Sequence, residues 1–228
     1  MIVRVGWGAV EASTLLASSG PIVVIDALRM SATAIVAVHR GMTVVLVATP
    51  EEALRLKEED PSLLTAGERA GAKIPELDLG NSPTRLLEQQ HLEGRSLALT
   101  TSNGVPALLG VKDHAHPVLI GSPLNLCALT TRIKQERPSE FGLLLSGRNG
   151  ESAEEDAMTA ALLLKRLGMA VPDTLPRPLP ASELEAFFLN TESAKRLIPL
   201  GYEADVRFCA KVDRYPIVPE LRDGRLVR

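Results

Sequence analysis

Aromatic side chains are scarce in this chain, 3% of 228 residues, with a single Trp. Any core must therefore be filled by Leu, Val, Ala and Ile, and 45% hydrophobic residues suffice for one. Cysteine is nearly absent too. Cys127 and Cys209 stand far apart with no CxxC spacing, which excludes a disulfide framework and predicts two reduced, buried thiols. Neither sign of charge dominates: the net charge is −3 and the pI about 5.9. That balance exerts no pull on nucleic acid or an anionic membrane, and no basic run is interleaved with aromatics, so neither partner is expected. No apolar run approaches a membrane span, and residues 1–20 lack a cationic start followed by an apolar stretch, so the expectation is a cytoplasmic protein. Also missing are the P-loop spacing with its lysine, the GxGxxG dinucleotide turn and the GxSxG nucleophile elbow. His39, His91, His114 and His116 form no helical metal pair.

What the chain does have is an apolar run that ends, five times, in small and polar residues. Ile22–Ile25 leads into Asp26-Ala27-Leu28-Arg29-Met30-Ser31, and Leu97–Leu99 into Thr100-Thr101-Ser102-Asn103-Gly104. Val118–Ile120 leads into Gly121-Ser122-Pro123-Leu124-Asn125, and Leu143–Leu145 into Ser146-Gly147-Arg148-Asn149-Gly150. The weaker run Leu63–Ala66 precedes a long loop from Gly67-Glu68-Arg69 to Gly80-Asn81-Ser82-Pro83. Runs of this kind alternating with helix-like stretches are the pattern of α/β architecture, in which ligands bind at the carboxyl ends of the strands. A single domain over 1–228 is expected. Thr43–Ala48 reads as a strand, Thr49-Pro50-Glu51-Glu52 as the start of a helix over 50–59, and Ser82-Pro83 and Ser122-Pro123 as further helix starts. Asp156–Leu167 reads as the clearest helix, stopped by Gly168, with Ala181–Asn190 and Ser193–Leu200 as shorter ones. The proline-rich Val171–Pro180 reads as an extended crossing, and the tail beyond it as too small for a core of its own.

Asp26 closes a wholly apolar strand, a position that suits a ligand or a hard cation such as Mg²⁺, and it lies too early to cap the helix near Ser31. Arg29 follows, suited to bidentate contact with phosphate or carboxylate. Ser31 and Thr33 can cap the helix, orient a phosphate, or both. In the long loop, Glu68 can join Asp26 on a cation, and Arg69 and Lys73 can neutralise an anion; equally, the loop can be a solvated connection with Ser82 as an N-cap. Thr101, Ser102, Asn103 and Gly104 form the strongest anion signal, small residues after a strand whose backbone N–H groups can face a phosphate. Ser122 repeats that logic more weakly, with Asn125 left unexplained by capping. Among Glu151, Glu154, Glu155 and Asp156, a Ser152-x-x-Glu155 capping box accounts for Glu155 and solvent for Glu154, leaving Asp156 as the candidate.

Taken in order, Val24-Ile25-Asp26-Ala27-Leu28-Arg29, Gly67-Glu68-Arg69, Lys73-Ile74-Pro75 and Asp78-Leu79-Gly80-Asn81-Ser82-Pro83 form one set with Thr100-Thr101-Ser102-Asn103-Gly104, Gly121-Ser122 with Asn125, Glu155-Asp156, Phe208-Cys209-Ala210 and Val218-Pro219. The set resembles the 2-phosphosulfolactate phosphatase (ComB) family over nearly the whole chain. The resemblance implies a three-layer α/β/α fold with a mixed, largely parallel sheet. It also implies a cytoplasmic, Mg²⁺-dependent phosphatase that converts 2-phospho-3-sulfolactate to 3-sulfolactate and phosphate, a step toward coenzyme M in methanogens. The chain departs from the family pattern at Met30-Ser31-Ala32, Glu76-Leu77, Val105-Pro106, Ala153 and Thr159; the last, where the family often has cysteine, argues against a cysteine nucleophile there.

The resulting expectation gives Asp26, Arg29, Asn103 and Asp156 the catalytic roles, with Asp26, Glu68 and Asp156 holding Mg²⁺. Arg69, Lys73, Asn81, Ser82, Thr101, Ser102, Gly104, Ser122 and Asn125 would bind a small, anionic phosphorylated 2-hydroxy acid. A phosphatase for another such acid, or a non-catalytic metabolite binder, would draw on the same residues. A homodimer is a common state for an enzyme of this size.

Overall fold

The four residues Ile22–Ile25 carry no polar side chain, and they form strand β2, buried throughout. A strand apolar on both faces must be covered on both. In the computed structural model, which describes residues 1–148 and 150–228, β2 runs parallel to and between β7 (Val118–Gly121) and β8 (Glu140–Leu145). Strand β1 (Ile2–Trp7) lies parallel on the outer side of β8. A second parallel group comprises β3 (Thr43–Leu46), β6 (Ser96–Thr100) and β4 (Leu64–Arg69), with the two-residue β5 (Ala72–Lys73) folded back antiparallel on β4.

The C-terminal hairpin, β9 (Glu220–Arg222) and β10 (Arg225–Val227), joins the two groups. It pairs antiparallel with β7 on one side and β3 on the other, giving the order β1-β8-β2-β7-β9-β10-β3-β6-β4-β5. The sheet is thus mixed and mostly parallel, as an α/β/α fold requires. The tail, read from sequence only as a segment without its own core, supplies two interior strands.

Helices α1 (Gly8–Leu15), α2 (Met30–His39), α4 (Pro83–Leu87) and α5 (Gly104–Gly110) pack in one layer. Helices α6 (Leu126–Glu136) and α7 (Glu154–Leu167) pack against each other, and α3 (Pro50–Glu59) covers β4 and β6. α2 is buried from Met30 to Val38, its Ala residues allowing close approach to the sheet. α3 begins as its sequence dictates: Thr49 Oγ1 accepts the Glu52 N–H at 3.2 Å and Pro50 occupies the first helical position. Gly168 ends α7 at φ 74°, a left-handed stop open to glycine.

Two starts differ from expectation. Ser122 caps a 3₁₀ turn, Pro123–Asn125, before α6 begins. α7 begins at Glu154 with Ala153 as N-cap and no side-chain cap, so the Ser152–Glu155 box does not form. Beyond the irregular stretch 171–180, α8 (Ala181–Asn190), α9 (Glu192–Leu197) and α10 (Glu203–Cys209) pack on one another, and α10 reaches α4. The thiols split: Cys209 is buried, but Cys127 is exposed, because it faces outward from the first turn of α6. Among the described residues no helix is long and apolar enough to cross a membrane.

Candidate active site

Both parallel groups of strands contribute to one cavity of about 150 Å³. Asp26 and Arg29 come from the turn after β2, Glu68 from the end of β4 and Asn81 from the loop before α4. Ser102 and Asn103 follow β6, and Gly147 and Arg148 follow β8. Glu155 and Asp156 enter from the first turn of α7, and Ser193, Arg196 and Leu197 from α9. Asn149 lies outside the described residues.

Backbone amides hold the acids in place. Ala27 N–H donates to Asp156 Oδ1 at 2.7 Å and Gly147 N–H to Oδ2 at 3.0 Å, so this carboxylate ties the β2 and β8 turns together. Asp26 Oδ1 accepts from Met30 N–H at 3.1 Å, and Ser31 Oγ accepts from Asp26 N–H at 2.9 Å. Asp26 therefore does serve the start of α2, because the turn folds back on itself, and Ser31 is bound to that turn. Glu68 Oε1 accepts from Ser102 N–H, and Oε2 from Gly71 N–H, both at 2.7 Å. The turn after β6 does cradle an anion, but in this chain the anion is the Glu68 carboxylate.

Crowding these acids together with little water shifts their ionisation. Burial pushes Asp26 up to about 7; the Met30 amide opposes this, and Glu68 and Glu155 add to it. Burial likewise drives Asp156 well above the usual carboxylate range, with the nearby charges of Asp26 and Glu155 adding. Glu155 is also raised, chiefly by burial, against a hydrogen bond from Ser193.

Arg29 is fully enclosed. One guanidinium nitrogen donates to Asp205 Oδ2 at 2.8 Å, the other to the Gly71 carbonyl at 2.7 Å, and the group lies 4.0 Å over the Tyr202 ring. Asp205, on α10, also accepts from Ser82 Oγ, Thr84 N–H and Thr84 Oγ1. This pair draws the C-terminal helices onto the turn that carries Asp26.

Of the expected site residues, Asp26, Arg29, Glu68, Asn81, Ser102, Asn103 and Asp156 line the cavity. The other seven do not, for identifiable reasons. Arg69 turns away to the Glu68 carbonyl and Thr100 Oγ1, and Lys73 is exposed on β5. Ser82 caps α4 and donates to Asp205, and Thr101 Oγ1 accepts from Val105 N–H at 2.9 Å to cap α5. Gly104 abuts the site as backbone only. Ser122 caps its 3₁₀ turn, and Asn125 is spent on Ser122 N–H and the carbonyls of Ile120 and Ile217. Glu155, Arg148, Ser193, Arg196 and Asp205 were not singled out. Two of them carried a signal: Arg148 stands in the strand-end run Ser146–Gly150, and Glu155 beside Asp156, where the apparent capping box masked it.

Two acceptors in this cavity are buried without a hydrogen-bond partner among the described residues: Glu155 Oε2 and Asn81 Oδ1. Such atoms are costly unless a ligand satisfies them. The Asp26, Glu68 and Asp156 carboxylates line the same cavity and are oxygen ligands of the type hard divalent cations take. Among the described residues no group of three or more His, Cys, Asp or Glu side chains is already arranged to hold a metal ion. Mg²⁺ needs no such cage, since one or two carboxylates, waters and a substrate phosphate commonly complete its shell.

An α/β fold with a small cavity of acids and arginines at its strand ends defines a protein built for a small anion, suited to phosphoryl chemistry. The model of the 2-phosphosulpholactate phosphatase family matches residues 10–224, and the chain belongs to that family. It is 34% identical to a probable 2-phosphosulfolactate phosphatase of Thermus thermophilus, covering 92% of this chain and 91% of the relative. It is also 34% identical to a 2-phosphosulfolactate phosphatase of Methanothermobacter thermautotrophicus, covering 91% and 89%.

Proposed function

We propose that this chain hydrolyses a phosphoric monoester, 2-phospho-3-sulfolactate, to 3-sulfolactate and phosphate, with Mg²⁺ held by Asp26 and Asp156 and by Glu68 directly or through water. The observation that carries this reading is the meeting of four buried acids with Arg29 in one cavity of a chain matched to this family over residues 10–224. The unpartnered Glu155 Oε2 and Asn81 Oδ1 support a ligand that brings positive charge or donors to them. When bound, Mg²⁺ would neutralise phosphoryl oxygens and make a coordinated water more acidic.

The chain's own part is positioning and charge, which is most of what phosphoryl transfer requires. Arg29, immobilised by Asp205, Gly71 and Tyr202, presents its remaining donors to the phosphoryl group. The Asn103 side chain orients its oxygens, Ser102 holds Glu68 in place through its N–H and hydroxyl, and Asn81 orients the rest of the molecule. Asp26 and Asp156 hold protons more readily than ordinary carboxylates, and a bound cation would favour their charged forms.

The test is phosphate release from 2-phosphosulfolactate, 2-phospholactate and an aryl phosphate, each with Mg²⁺ or with EDTA. Release that is fastest on phosphosulfolactate and lost in EDTA is expected. Saturable binding of these esters with no release from any of them would contradict the reading.

A further inference from the structure

Two arginines of the cavity are not committed to the protein in the way Arg29 is. Arg196 projects from α9, exposed, and among the described residues it takes part in no ion pair and donates no hydrogen bond. The one ion-pair partner of Arg148 among the described residues is Glu151, at 3.9 Å, whose side chain is 80% exposed. A contact that long to a solvated carboxylate holds an arginine weakly. Arg29, by contrast, is neutralised by Asp205.

Arg148 and Arg196 both line the cavity, and both lie near enough to Glu192 at the start of α9 to act on its charge. Lys195 first, then the guanidiniums of Arg148 and Arg196, hold the Glu192 carboxylate below its ordinary range. Ser193 and Leu197 of α9 line the same cavity. The guanidinium fork matches carboxylate and sulfonate oxygens.

We propose that Arg148 and Arg196 form a subsite for a second acid group, a carboxylate or sulfonate, carried by the substrate beside its phosphate ester. The proposal rests on the phosphatase reading above and assigns its selectivity to residues on the β8 turn and α9. The apolar surfaces of Leu28 and Leu197 would accept the short carbon chain between the two charges. A monoester lacking the second acid gains nothing from this subsite.

The test compares kcat/KM for 2-phosphosulfolactate, 2-phospholactate and ethyl phosphate in the wild type, Arg196→Ala, Arg196→Lys and Arg148→Ala. In Arg196→Ala the selectivity for the acid-bearing esters over ethyl phosphate is expected to fall at least about tenfold, through KM. Arg196→Lys is expected to recover part of it, keeping charge without the fork. A larger loss on phosphosulfolactate than on phospholactate assigns the subsite to the sulfonate, and equal losses assign it to the carboxylate. Selectivity unchanged within about twofold in both alanine variants overturns the proposal.

If the wild type cleaves none of these esters, the phosphatase reading fails, and calorimetry with 3-sulfolactate, which carries no phosphate, decides the subsite separately. Binding weakened about tenfold by Arg196→Ala supports it. No binding to the wild type, or equal binding to both proteins, overturns it.

Discussion

At the scale of single residues, the acids of the cavity oppose one another. Burial pushes the Asp26 carboxyl in the folded chain up to about 7, from an ordinary aspartate value of about 3.9. Its carboxyl is then protonated over a pH range in which the unfolded chain has released the proton. The stability tied to this group is therefore fully present below about pH 4, is lost as pH rises toward about 7, and stays lost above. Asp26→Asn removes the conflict. In urea titrations without divalent cation, the variant is expected to exceed the wild type by on the order of 1–3 kcal/mol at pH 8 and to differ little at pH 4. The opposite outcome is expected at Asp205, which is buried and answers Arg29. Asp205→Ala leaves that guanidinium enclosed and unpaired and should cost about 3–5 kcal/mol in the same assay.

These two residues also mark how far the sequence was legible. Asp26 announces itself by ending four consecutive buried apolar residues. Asp205 has no local signature, since its partner Arg29 lies 176 positions away in the chain. Glu155 was readable only as a cap, because the spacing Ser152-x-x-Glu155 has a local explanation that the backbone does not take up.

At the scale of elements, the junction between β6 and α5 leaves no room for a side chain at Gly104. A Cβ on Gly104 would lie 2.7 Å from Met30 Cε and 2.8 Å from Met30 Cβ, and would also press on Asp26. Gly104→Ala is expected to destabilise the fold by about 1–3 kcal/mol and to lower activity beyond what the lost stability explains, measured as kcat on folded protein. The same junction shows why the anion turn was misread in part. Small residues after a strand do expose N–H groups, but which anion fills them depends on β4, its neighbour in the sheet, which delivers Glu68. Elements with strong local signals were readable with their bounds: the β2 run, the capped α3 and the Ala181–Asn190 helix. Their order in the sheet was not.

At the scale of the whole molecule, two parallel groups of strands are joined by a hairpin of three-residue strands at the C-terminus. Strands that short carry too little periodicity to be read, and their pairing with β7 and β3 is non-local. Leu226, fully buried on β10, makes the dependence testable. Leu226→Ala should cost about 2–5 kcal/mol by denaturant unfolding, as for other buried leucines. The cavity draws on both groups and on α9, so its geometry is a property of the complete sheet together with the C-terminal helices that Arg29 and Asp205 tie to it. The proposed function makes this cavity a Mg²⁺-dependent phosphatase site. It is tested most directly by the initial rate of phosphate release from 2-phosphosulfolactate as Mg²⁺ is titrated, with wild type and Asp26→Asn side by side. A saturable, Mg²⁺-dependent rate is expected in the wild type, with loss of that rate in a folded Asp26→Asn. An equal rate in both proteins, or one indifferent to Mg²⁺, would contradict it.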